Sequence, residues 1–171
     1  MASDNELYQL ATRVGSGLHA RGWRLATAES CTGGWLSKVI TDVPGSSRWF
    51  ERGYVTYSNQ AKQRDLAVDP GLLAAHGAVS AEVAEQMAAG ALRRSGATLA
   101  VSITGVAGPE GGTADKPVGL VWFGLAQGSE AVRCDSRRFA GDRDTVRRQA
   151  VSHALQWIEA ALQRSSGVPN S

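Results

Sequence analysis

Residues 97–104, ATLAVSIT, are what most constrains the fold of this chain: a nearly continuous apolar run with a glycine on each side, at 96 and 105. A strand of that composition has no polar face to offer water, so it belongs in a sheet covered on both sides. The rest of the sequence supplies the covers. Leu7, Leu10, Ala11, Val14 and Leu18 recur at helical spacing ahead of Gly22. Val83, Ala84, Met87, Ala88, Ala91 and Leu92 do so after Ser80, and Val146, Ala150, Val151, Ala154, Leu155, Ile158 and Leu162 do so over 144–163.

Shorter elements fill the intervals. Residues 24–29 read as a strand that runs through a tight turn into a helix over 33–41, closed by Val43-Pro44-Gly45-Ser46-Ser47. Residues 52–58 alternate and carry Tyr, Val and Thr, a second strand, with Asn59 placed to cap the helix that follows. Asp69-Pro70-Gly71 opens a further helix ending at Gly77, and residues 118–126 and 130–139 form an antiparallel hairpin. Strands alternating with helices and then a hairpin predict a three-layer α/β/α sandwich with a mixed sheet of about five to six strands. One domain over 1–164 and a flexible tail over 165–171 account for the chain.

Composition narrows the partners. Lys and Arg total 18 against 16 Asp and Glu, with no long basic tract and few aromatics, so nucleic acid is not implied. No segment approaches the roughly 20 apolar residues of a membrane span, and MASDNELYQL is no signal peptide, which predicts a cytoplasmic protein. Cys31 and Cys134 stand far apart without a CxxC partner, so neither a metal site nor a disulfide scaffold is expected. Charge is uneven: residues 131–150 hold six arginines against three aspartates, either a solvated face or a patch that meets an anionic ligand.

In sheets of this kind ligands gather where strands hand over to helices. After the first strand, Glu29-Ser30-Cys31-Thr32-Gly33-Gly34 puts a hydroxyl and a thiol beside outward-facing amides, so Ser30 is either a nucleophile or a helix cap. Cys31 is a rival nucleophile or a small buried side chain. His19, His76 and His153 all fall in or at the ends of helices, away from these turns, which leaves a Ser-His-Asp arrangement poorly supported. The second turn offers Lys62 in the first turn of its helix, where the helix polarity disfavours a cation. An ordinary lysine, with pKa about 10.4, is only roughly 0.1% neutral near pH 7.4. A working base needs about 4 kcal/mol of perturbation, of which helix polarity gives about a quarter and burial has to give the rest. Taken alone, a lysine there is more often a solvated surface residue. The third turn, TGVAGPEGGT over 104–113, holds glycines at 105, 108, 111 and 112, whose amides can cradle a phosphate, or it is a plain flexible loop.

AESCTGG at 28–34, YSNQAK at 57–62, GAVS at 77–80, TGVAGPEGG at 104–112, KPVG at 116–119 and FAGDR at 139–143 follow one another in an order that resembles the CinA C-terminal domain family, which includes stand-alone nicotinamide-nucleotide amidohydrolases. The resemblance runs from about residue 5 to 163. It implies hydrolysis of the carboxamide of nicotinamide mononucleotide (NMN) to nicotinic acid mononucleotide and ammonia, with no metal or cofactor, in a homodimer. Ser30 would be the nucleophile, Lys62 its base and Tyr57 an aid to proton transfer. Glu29, Cys31, Thr32, Gly33, Gly34, Asn59, Thr104, Gly105, Gly108, Gly111 and Gly112 would contact substrate, amides from Cys31 to Gly33 holding the oxyanion and Arg143 meeting the phosphate. Longer family members carry an added N-terminal domain associated with ADP-ribose pyrophosphatase activity, which these 171 residues lack, so deamidation is the one activity expected. A nucleotide-binding regulatory module for NMN or ADP-ribose, and an amidase for another amide, are the alternatives.

Overall fold

The structure, a computed structural model, describes residues 2–164. The expected tail over 165–171 lies outside the described residues. Helix α1 (Asp4–Ala20) begins on a reciprocal cap: Ser3 Oγ accepts from the Glu6 amide and the Glu6 carboxylate accepts from the Ser3 amide. That satisfies two donors which a helix start otherwise leaves unpaired. Strand β1 (Leu25–Glu29) is buried throughout, and helix α2 (Trp35–Thr41) follows it. Strand β2 (Phe50–Val55) starts earlier and ends earlier than its alternating pattern indicates, because the chain leaves the sheet at Thr56 to enter helix α3 (Asn59–Leu66). Helix α4 (Pro70–His76) is capped by Asp69, and helix α5 (Ala81–Ser95) by Ser80. Strand β3 (Leu99–Gly105), the hairpin β4 (Leu120–Gln127) and β5 (Arg133–Arg138), and helix α6 (Arg143–Arg164) complete the order.

Among the described residues the sheet has five strands in the order β2-β1-β3-β4-β5, so the mixed sheet is found at the lower of the two expected strand numbers. β1 runs parallel to both of its neighbours, and β4 antiparallel to both of its own. The apolar run, now β3, sits in the middle, and its alternate residues face different layers. Leu99, Val101 and Ile103 pack with α1, α2 and α6, while Ala100 packs with α3, α4 and α5.

The second layer lies close because the sheet offers it small residues: Ala26, Ala28, Ala100 and Ser102, with Ser102 Oγ donating to the Ala84 carbonyl of α5 at 2.6 Å. α5 in turn holds α3. A Cβ on Gly90 would lie 2.0 Å from the Leu66 carbonyl oxygen, so the two helices touch backbone to backbone and only glycine fits. No helix among the described residues is long and apolar enough to cross a membrane.

Candidate active site

β1 and β2 pair in register up to Glu29 opposite Val55, and the residues just beyond carry the chemistry. Ser30 N–H donates to the Ile103 carbonyl at 2.9 Å and Thr56 N–H donates to the Glu29 carbonyl at 2.9 Å, which straps both departing chains to the sheet. The turn after Ser30 closes through Gly33 and Gly34, at φ +60° and +96°, a region that admits glycine without strain. Gly34, not Ser30, is the residue that precedes α2, so the capping alternative for Ser30 falls and its hydroxyl is free for other work.

Glu29 stabilises this turn from beneath. Its buried carboxylate accepts from Thr32 Oγ1, the Gly34 and Leu36 amides, and both the amide and hydroxyl of Ser37, over 2.7–3.2 Å. Those donors occupy both oxygens, and Glu29 does not line the cleft described below; its expected substrate contact gives way to a structural one. Thr32 is likewise turned inward to Glu29, and Thr104 Oγ1 donates to the Ala78 carbonyl at 2.8 Å.

Lys62 enters from α3. Ser58, rather than the expected Asn59, caps this helix by accepting from the Ala61 amide at 3.0 Å, since the serine is the last extended residue and Asn59 is already helical. Asn59 is exposed and does not line the cleft. The Lys62 side chain is 1% exposed, the largest of the fully buried side chains. Its Nζ lies 2.9 Å from Ser30 Oγ, 2.8 Å from the Thr56 carbonyl and 3.1 Å from the Tyr57 carbonyl. No carboxylate is among these partners, and burial brings its pKa from 10.5 down to about 8. Tyr57 therefore meets the lysine through its backbone, while its 61%-exposed side chain reaches out so that the phenol oxygen accepts from Arg143 at 3.1 Å.

The contacts of Lys62 dictate what it does when neutral. A carbonyl oxygen can only accept, so the two N–H bonds of the amine go to Thr56 and Tyr57 and the lone pair is left for the proton of Ser30 Oγ. Cys31, in contrast, is buried and its thiol is pushed up to about 12 by that burial, which makes it a poor nucleophile.

A cleft of about 300 Å³ opens over Ser30 and Cys31, a volume at the small end of ligand sites. Tyr57 and Val79 form part of its wall, and the loop after β3 contributes Gly105, Gly108, Glu110 and Gly111. Among the described residues the amides of Gly108, Glu110 and Gly111 have no protein acceptor, and Gly112 stands just outside the lining. Arg143 crosses the mouth, donating to the Gly108 carbonyl at 2.8 Å as well as to Tyr57.

The expected oxyanion donors need one correction. The Gly33 amide closes back on the Ser30 carbonyl at 3.0 Å, and Gly34 is spent on Glu29; the amides left without a protein acceptor among the described residues are those of Cys31 and Thr32. Arg147, which no motif reading singled out, holds this segment by donating to the Cys31 and Thr32 carbonyls, each at 3.1 Å. Its only signal in the sequence was membership of the arginine-rich segment 131–150.

The CinA C-terminal domain family matches this chain over residues 7–162. The nicotinamide-nucleotide amidohydrolase PncC of Escherichia coli strain K12 is 56% identical over 156 residues, covering 91% of this chain and 94% of that protein. The protein of the same name from Pseudomonas putida is 54% identical over 149 residues, covering 87% of this chain and 92% of that one. Among solved structures, a competence-damaged protein (CinA) superfamily protein from Klebsiella pneumoniae superposes with a TM-score of 0.89 at 40% identity, over 92% of this chain and 98% of that one. A match across nearly all of the described fold, at this identity, means that the chain belongs to the CinA C-terminal domain family.

Proposed function

We propose that this chain hydrolyses the carboxamide of NMN to nicotinic acid mononucleotide and ammonia, with Ser30 as nucleophile and Lys62 as general base. The observation that carries the mechanism is the set of three contacts at Lys62 Nζ: two carbonyls and the Ser30 hydroxyl accept from it when it is charged, and once it is neutral the carbonyls keep its hydrogens and its lone pair is left to the serine. The substrate comes from the relatives, which are named nicotinamide-nucleotide amidohydrolase.

In this reading Lys62 takes the Ser30 proton as Oγ attacks the carboxamide carbon, and the carbonyl oxygen, now an anion, accepts from the Cys31 amide, which borders the cleft. The amide of the residue after a nucleophile is a common oxyanion donor where a strand turns sharply into a helix. Protonated Lys62 returns the proton to the departing nitrogen, ammonia leaves, and an acyl ester remains on Ser30. Water, deprotonated by the same lysine, then cleaves the ester to the carboxylate and restores the serine. The free amides of the glycine loop and the Arg143 guanidinium suit the substrate phosphate. A homodimer also belongs to this reading, and sedimentation of the purified chain tests it.

Purified protein incubated with NMN is expected to release ammonia and nicotinic acid mononucleotide in equal amounts. Ser30→Ala is expected to stay folded, bind NMN and release none. Saturable NMN binding by the unaltered protein without product would make it a binding module, and activity retained in Ser30→Ala would remove Ser30 from its role.

A further inference from the structure

We infer that Glu110 sets the preference of this cleft for amide over acid: its carboxylate repels the carboxylate that the reaction creates, and so favours release of the product. The inference rests on the NMN reading above. Deamidation replaces an uncharged carboxamide with a carboxylate and leaves the ring, the ribose and the phosphate as they were. The product therefore carries one more negative charge than the substrate, placed where Ser30 attacked.

The cations of the site hold that charge. Lys62 Nζ lies 2.9 Å from Ser30 Oγ, and below its pKa of about 8 it is mostly an ammonium. Arg143 adds a second cation at the mouth. A new carboxylate beside them is drawn in rather than expelled. Glu110 opposes this pull. Among the described residues that line the cleft it is the one acid, since Glu29 lies beneath the nucleophile turn with both oxygens taken by donors. It is exposed on the glycine loop, and among the described residues its carboxylate has no hydrogen-bond or ion-pair partner to offset its charge.

This charge acts without contact because the cleft is small. A compact space of about 300 Å³ measures about 8 Å across, about one Debye length at physiological salt. The phosphate is common to substrate and product, so its own repulsion by Glu110 cancels when the two are compared. The sequence reading valued this loop for its glycine amides, which any side chain at 110 leaves in place; the acid among them adds the selectivity.

The test is calorimetric binding of NMN and of nicotinic acid mononucleotide to Ser30→Ala and to Ser30→Ala/Glu110→Gln, which keeps the size of the side chain and removes its charge. The expected result is that nicotinic acid mononucleotide gains about five-fold more affinity from Glu110→Gln than NMN does. That is the scale of two unit charges about 8 Å apart in a medium between water and a protein surface. The difference should shrink as NaCl is raised from about 20 to about 500 mM, and Glu110→Asp should change the ratio less than two-fold. Equal gains for both ligands overturn the inference and leave Glu110 acting on the shared phosphate alone. No change in either affinity overturns it, as does loss of both, which would make Glu110 a support of the loop. Failure of the underlying reading looks different: Ser30→Ala would release ammonia or fail to bind NMN, or the unaltered protein would release none.

Discussion

If Lys62 works as a base, the rate of NMN deamidation follows the fraction of its amine that is neutral. With a pKa of about 8, that fraction is roughly 1% at pH 6, about a fifth at pH 7.4 and about 90% at pH 9. kcat/KM should therefore rise nearly tenfold per pH unit below pH 7.5, bend near pH 8 and level off, a total gain of roughly 90-fold between pH 6 and 9. Ammonia release measured at ten pH values from 5.5 to 9.5, with the protein's melting temperature followed in parallel, reads this directly. A profile still climbing tenfold per unit at pH 9 would mean a solvated lysine and refute the burial argument. A plateau already reached by pH 7.5 would point to a base of the histidine class. The same depression has a cost in stability. Below pH 8 the fold holds an ammonium that water would hold better, by about 3 kcal/mol, and the cost is relieved as pH rises from about 8 toward 10.5, the ordinary value. Lys62→Met removes that cost but leaves the Thr56 and Tyr57 carbonyls without their donor, about 1–3 kcal/mol each. Its activity should vanish while its melting temperature moves little.

Other perturbations separate the supports of the site. Glu29→Gln turns an amide NH₂ toward donors that now meet a carboxylate oxygen; urea unfolding should show a loss of about 2–3 kcal/mol. Gly90→Ala drives a methyl into the Leu66 carbonyl, so it should lower stability by about 1–3 kcal/mol and cut kcat by moving α3, both readable on one purified variant. Cys31→Ala should keep most of the deamidase activity, and iodoacetamide at pH 8 should leave it intact, because the Cys31 thiol is buried with its pKa pushed up to about 12. Rapid inactivation by that reagent would return Cys31 to contention as nucleophile.

The layers were legible because periodicity needs only local residues: the apolar run at 99–105 and the stripes on α1, α5 and α6 each announce a buried face. The burial of Lys62 was not legible, since the residues around it on α3 are polar and the apolar material that encloses this helix comes from other elements. Leu66 and Val68 pack with Val83, Met87 and Ala91, which follow in the next helix but one. Glu29 misled for the opposite reason. Inside the AESCTGG segment it resembles a functional acid, yet its five donors lie within eight residues and form an internal anchor that no spacing rule distinguishes from a site. Arg147 meets its carbonyl partners across 115 and 116 residues of chain, a contact only the packing of α6 on the first turn creates.

Ser30 and Lys62 do not share equally in the sheet's protection. Ser30 leaves a strand that is paired on both sides, whereas the two carbonyls that hold Lys62 follow β2, an edge strand with a single neighbour. Edge strands open more easily than inner ones. Peeling of β2 near Thr56 on warming would admit water to Lys62 and lower its neutral fraction while Ser30 is still in place. Heat would silence such an enzyme by recharging its base, reversibly, at temperatures where the rest of the sheet is intact.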